Sequence, residues 1–133
     1  MKADIRKQIK ATLAQMPAAQ ARTKSIQACR LLVGLDVFVD SKTIMLYMPL
    51  PEEIDCLQAA LAAWQAGKTV LLPQVNWNDK KIIPCRCWSL DDEFRQTRFG
   101  LREPAVGEPW PIDEIDLIVV PGLAFDRLGN RLG

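Results

Sequence analysis

The residues best suited to chemistry stand where apolar runs give way to glycine and charge. Gly122, Gly129 and Gly133 punctuate a stretch that also holds Arg127 and Arg131. Glycine lets the backbone approach a ligand closely, turn amides can form an anion nest, and arginine grips phosphate through two parallel hydrogen bonds. An exposed turn with two solvated arginines would use the same residues, and spacing alone leaves both readings open. Lys2 and Arg6 lie one helical turn apart on a common face, as a cation pair for a ligand or as an ordinary solvated face. Glu53 follows a strand exit and precedes a helix start, where it either meets a ligand or favours the helix dipole. Asp91, Asp92 and Glu93 are adjacent carboxylates with no further ligands nearby, and they read as a solvated turn and helix start. Ala62 to Thr69 nearly spells a phosphate-binding loop through Gly67-Lys68-Thr69. Its first glycine is replaced by Ala62 and its order runs helix to strand, so it reads as a helix C-cap.

Composition narrows the chemistry further. The chain has 133 residues, 49% hydrophobic and 25% charged, which predicts one globular domain over 1–133 with its own core. Seventeen basic against sixteen acidic side chains give a net charge of +1, so no general attraction to nucleic acid or anionic membrane is expected. There is no histidine. That excludes Ser-His-Asp and Cys-His catalysis, His-ligated zinc or haem, and an imidazole base. What remains is Lys, Arg, carboxylates, backbone amides or a bound cofactor. The four cysteines, Cys29, Cys56, Cys85 and Cys87, lack zinc-site spacing, and Cys85 and Cys87 share a strand face too closely for a disulfide; free structural thiols are expected. The N-terminus shows no signal-peptide pattern and no stretch is long enough to span a bilayer, which predicts a cytoplasmic protein.

The elements that must position these residues follow from periodicity. Ile5, Ile9, Leu13 and Met16 form one helical stripe that stops before Pro17, and Arg22, Ile26, Cys29 and Val33 mark a second helix ending near Gly34. Thr43 to Met48 is a strand stopped by Pro49. Asp55-Cys56-Leu57-Gln58 opens a third helix, with Ile54, Leu57, Leu61 and Trp64 predicted to face inward and Gly67 to end it. Val70 to Leu72, halted by Pro73, and Ile82 to Trp88 are further strands; Asp91 to Pro111 reads as a long, largely irregular connection. Leu117 to Val120 is expected to be the most buried strand. Trp64 and Trp88 are expected in the core, with Trp77 and Trp110 in loops. Strands alternating with amphipathic helices predict an α/β, three-layer, open and mainly parallel sheet flanked by helices. In such folds ligands lie beyond the carboxyl ends of the strands.

The same residues carry a family resemblance. Lys2-x-x-x-Arg6, then Arg22 with Ser25 and Ile26, then Pro51-Glu52-Glu53-Ile54-Asp55 and Gly67-Lys68-Thr69-Val70-Leu71-Leu72-Pro73, occur in an order that continues through Glu103-Pro104. Pro121-Gly122-Leu123-Ala124-Phe125-Asp126 and Gly129-Asn130-Arg131-Leu132-Gly133 complete it. In this combination the chain resembles the 5-formyltetrahydrofolate cyclo-ligase (5,10-methenyltetrahydrofolate synthetase) family along its whole length. The resemblance implies ATP- and Mg2+-dependent conversion of 5-formyltetrahydrofolate to 5,10-methenyltetrahydrofolate with release of ADP and phosphate. ATP would phosphorylate the formyl oxygen, N10 would attack the activated carbon, and phosphate would leave as the ring closes. Phosphoryl transfer of this kind relies on positioning and charge neutralisation, which need no imidazole. Matched to the family pattern, Lys2, Arg6, Arg131, Leu132 and Gly133 fall at nucleotide-contacting positions, and Met48 and Glu53 at folate-contacting ones.

The pattern departs from the family at Gly133. The family's glycine-rich loop continues through further glycines, a basic residue and a Tyr-Tyr-Asp segment into more helix and strand. The expectation is therefore a C-terminally incomplete domain with weak or absent catalysis. A non-catalytic folate- or nucleotide-binding module and a functionless fragment are the alternatives. Surfaces exposed by missing elements predict self-association.

Overall fold

A computed structural model describes residues 1–133, apart from the side chain of residue 99, which lies outside the described residues. The chain opens with helices α1 (Lys2–Gln15), α2 (Ala18–Gly34) and the short α3 (Asp36–Asp40), then enters strand β1 (Thr43–Met45). Helix α4 (Leu57–Gln65) leads to β2 (Thr69–Asn76) and β3 (Lys81–Cys87), and a small hairpin follows, β4 (Phe94–Gln96) with β5 (Arg102–Pro104). After β6 (Leu117–Ile118) a second small hairpin forms from β7 (Ala124–Phe125) and β8 (Arg131–Leu132). The central sheet has the order β3-β2-β1-β6; β1 runs parallel to both β2 and β6, and only β3 is antiparallel. The mainly parallel α/β sheet flanked by helices is thus as expected.

Burial explains the order. Every residue from Thr43 to Met48 is buried, as a central parallel strand covered on both faces requires. Around Ile44, Leu46, Val70 and Leu72 the core closes with Phe38, Cys29, Cys56 and the alanines of α4. Helix α4 turns Ala59, Ala60 and Ala63 inward, and Leu57 and Trp64 pack against the same core as predicted, whereas Ile54 and Leu61 are exposed, which corrects half of the predicted inward face. Small side chains let the helix approach both α2 and β2 closely; the larger residues then flank that contact. Gly67 has φ +76 and ends the helix as predicted. Beside it Lys68 donates to the carbonyls of Val39 and Ser41, at 2.9 and 2.5 Å, and caps α3.

Three further expectations are corrected. Strand β2 continues through Pro73 because the pairing of β1 with it ends at Leu71. Leu71 turns its carbonyl toward β1, so Pro73, two residues on, points its missing N–H to the same, now vacant, side. Leu117–Val120 is an edge segment, with Ile118 and Val120 about half exposed. Asp116 fastens its start, since the Oδ2 atom accepts the N–H groups of Lys42 and Thr43 at 2.9 and 3.0 Å, and those bonds hold the carboxyl below its ordinary value. Trp88 lies outside the core at 61% exposure, its ring 3.5 Å from the Arg86 guanidinium. All four cysteines are free and buried, as expected.

Candidate functional site

At the carboxyl end of β1 the chain opens a cleft of about 1090 Å³. One wall is the loop Pro49–Asp55, including Glu52 and Glu53. A second is formed by α1 and α2 through Lys10, Leu13, Arg22 and Ser25, and Gln96, Gly100 and Arg102 close the third. The loop is pinned from several directions. Glu53 Oε1 accepts the Leu50 N–H at 2.8 Å, and the Glu53 N–H donates to the Leu50 carbonyl at 3.0 Å, which closes a tight turn. Ser25 Oγ accepts the Asp55 N–H at 3.0 Å, and the Cys29 thiol donates to the Asp55 carbonyl. From the end of β1, the Tyr47 hydroxyl donates to the Ile54 carbonyl at 2.6 Å; burial drives its pKa upward, so it stays a neutral donor. Carboxylates therefore sit on the loop and cations on the facing helices and hairpin. Such a cleft suits a ligand with hydrogen-bond donors at one end and negative charge elsewhere.

The second candidate region is the β7–β8 hairpin. Here the amides of Leu128 and Asn130 both donate to Asp126 Oδ1, and Asn130 Nδ2 donates to Oδ2 at 2.7 Å. Asp126 thus occupies the amides that an anion nest at this turn would need, and its carboxyl is held below the ordinary value by these bonds, the Asn130 side chain foremost. Arg131 Nη1 donates to the Pro121 carbonyl at 2.8 Å, bracing the hairpin's base. A Cβ at Gly122 would fall 2.7 Å from the tip of the Phe125 ring and 3.0 Å from Arg131 Cγ, so a larger residue here would have to displace those side chains.

The 5-formyltetrahydrofolate cyclo-ligase family model matches residues 1–133. The chain belongs to that family. A 5-formyltetrahydrofolate cyclo-ligase of Haemophilus influenzae is 29% identical over 131 residues, which cover 97% of this chain and 70% of the relative. Among solved structures, the 5,10-methenyltetrahydrofolate synthetase of Aquifex aeolicus matches with a TM-score of 0.83 at 32% identity, over 99% of this chain and 66% of that one. A 5,10-methenyltetrahydrofolate synthetase from Mycoplasma pneumoniae, 20% identical with a TM-score of 0.71, shares the fold over 99% of this chain and 70% of its own. The chain spans about two thirds of the length of these relatives. No helix among the described residues is long and apolar enough to cross a membrane.

Within this cyclo-ligase family fold, the predicted residues fall in three places. Glu53 lines the cleft, and Met48, buried at 6%, lies immediately before the loop that forms its wall. Lys2 and Arg6 are exposed on α1, and Lys10 continues their four-residue spacing into the cleft. Each step advances about 6 Å along the helix and turns it by only about 40°, so the three cations climb one stripe. Arg131, Leu132 and Gly133 stand on the β7–β8 hairpin, outside the residues that line the cleft. Sequence reasoning missed Lys10 and Arg102. Lys10 was signalled by the same i, i+4 spacing; Arg102 was hidden in a stretch read as irregular, which instead forms β4 and β5. Asp91 and Glu93 are exposed and the partly buried Asp92 accepts the Trp88 N–H at 2.7 Å, so this is a turn leading into a strand rather than a helix.

Proposed function

We propose that this chain acts on 5-formyltetrahydrofolate in the cleft beyond β1, closing it to 5,10-methenyltetrahydrofolate at the expense of ATP, which leaves as ADP and phosphate. The observation that carries the proposal is the division of charge in the cleft: Glu52, Glu53 and Asp55 on one wall, Lys10, Arg22 and Arg102 on the others. A reduced folate has N–H donors on its pterin and carboxylates on its glutamate, so it complements both. Glu53, fixed by the Leu50 turn, is the proposed acceptor for pterin or formyl-side donors. Met48 is proposed to pack beneath the ring.

ATP is the proposed co-substrate, with Lys2, Arg6, Arg131, Leu132 and Gly133 as its contacts. Lysine and arginine neutralise phosphate charge without a proton-transfer group, consistent with a chain that has no histidine. Among the described residues no three Asp, Glu or Cys side chains gather into a metal site. Mg2+ is proposed to arrive with the triphosphate, where the ion ordinarily keeps most of its water shell. A cytoplasmic location and self-association belong to the same proposal.

The test is a titration of the chain with 5-formyltetrahydrofolate followed by ATP and Mg2+, read first as tryptophan fluorescence and then as growth of the methenyl chromophore. Saturable folate binding is expected, with slow chromophore growth, because Lys2 and Arg6 are exposed on α1 and the Arg131 guanidinium is turned onto the Pro121 carbonyl. Absence of folate binding would overturn the proposal. Binding with no chromophore at any enzyme concentration would replace catalysis by a folate-holding role.

A further inference from the structure

Glu103 is buried at 3% exposure in a stretch that the sequence presents as charged and irregular. Its Oε2 accepts the Val75 N–H at 2.9 Å, and its Oε1 accepts Arg95 Nε and Nη2, each at 3.0 Å. One residue further on, the Pro104 carbonyl accepts the Gln74 side-chain amide at 3.3 Å. Two of these bonds join two sheets, since Val75 and Gln74 belong to β2 and Glu103 and Pro104 to the β4–β5 hairpin; the Arg95 pair lies inside the hairpin, directly across from Glu103, and neutralises the buried carboxylate there. A two-stranded hairpin with three-residue strands has little stability of its own, so its position depends on what ties it down. The buried carboxylate is a strong tie, because leaving it without partners is costly.

The hairpin carries functional cargo on both sides. Gln96, Arg102 and the turn residue Gly100 form one wall of the folate-side cleft. Arg95 lines a smaller pocket of about 420 Å³ with Val75 and Trp77. Neither Glu103 nor Arg95 belongs to the apolar core cluster. Phe94, at the base of the hairpin, packs against that cluster, so loosening the tie would shift the far end, where Gln96, Gly100 and Arg102 stand, while the packed sheet and helices stay closed.

We propose that Glu103 is a positioning residue for the cleft: its carboxylate fixes the β4–β5 hairpin on β2 and thereby sets where Arg102 and Gln96 meet a bound folate. This rests on the folate reading of the cleft. Glu103 touches no ligand itself; it acts through the hairpin, and a displaced wall weakens every contact made from it.

The test compares 5-formyltetrahydrofolate affinity in the wild-type chain with Glu103→Gln, Glu103→Ala and Arg95→Met, by tryptophan fluorescence well below each melting transition. Glu103→Gln keeps an acceptor for the Val75 N–H and loses the ion pair; Glu103→Ala loses both. Kd is expected to rise by about tenfold in Glu103→Ala, by less in Glu103→Gln and Arg95→Met, with the far-ultraviolet circular dichroism unchanged. A merely structural role would lower the melting temperature and leave Kd unchanged in the fully folded chain, and that result overturns the proposal. If Glu103→Ala does not fold, Glu103→Gln against wild type decides by the same readout. A wild-type chain that binds no folate removes the folate reading itself; wild-type binding with variants indistinguishable from it removes only the role of Glu103.

Discussion

Raising the solution from about pH 8 to about pH 11 should remove about 5 kcal/mol of folding stability through two buried thiols. Cys56 and Cys87 are 3% and 2% exposed. Burial pushes Cys56 from the ordinary 9.0 up to about 11, helped by neighbouring Cys29 and Asp55. Burial likewise pushes Cys87 up to about 12, with the Asp92 charge adding to it. Below pH 9.0 both states hold these protons and the contribution is complete. Above it the unfolded chain sheds them while the folded chain keeps them, so the unfolded state binds fewer protons and stability falls as pH rises, until the folded values are passed. At about 1.4 kcal/mol per unit of pKa difference, two units elapsed at about pH 11 give about 2 to 3 kcal/mol per thiol. The assay is urea unfolding in reductant at both pH values, for the wild-type chain and for a Cys56→Ala/Cys87→Val double variant. The double variant should lose markedly less stability over the interval, keeping only what Cys29, Cys85 and Tyr47 contribute, since burial raises those groups too. Equal losses in the two proteins would refute the reasoning.

Other perturbations reach different parts of the structure. Leu72, 1% exposed in the core, should cost about 2 to 5 kcal/mol when changed to Ala, as read by the urea midpoint at constant m-value. Gly67→Ala should cost about 1 kcal/mol although nothing lies within 4 Å of the added methyl, because the cost comes from φ +76 alone. Both predictions fail if the substitutions leave the midpoint unmoved.

The parallel α/β frame was legible because continuous apolar runs such as Thr43–Met48 signal strands covered on both faces, and Gly67 marks a helix end regardless of context. The inward face of α4 was legible only in part. Side-chain hydrophobicity ranks Ile54 and Leu61 above alanine, and of the predicted face only Leu57 and Trp64 reach the core, because a helix pressed against both a sheet and another helix needs small residues at the contact. Pro73 looked like a terminator because a proline's tolerance in a strand depends on which side its absent N–H faces, a matter of pairing rather than local sequence. The run Leu117–Val120 is apolar enough for a central strand and stands at an edge. Of the cleft lining, Glu53 was visible from its place between a strand exit and a helix start, and Lys10 continues the spacing of the proposed Lys2–Arg6 pair. Glu103 was visible only as part of a family pattern, since its partners Val75 and Arg95 come from separate elements.

Folate binding with Glu53 as the probe tests the central claim most directly. Glu53 lines the cleft and holds the Leu50 turn by one 2.8 Å hydrogen bond, so Glu53→Ala removes both the proposed ligand acceptor and the anchor of that wall. Isothermal titration of 5-formyltetrahydrofolate into the wild-type chain should show saturable binding. Glu53→Ala should weaken it by about tenfold or more, while the chain remains folded. Wild-type binding of equal strength in Glu53→Ala, or no binding to the wild-type chain at all, would contradict the assignment of this cleft.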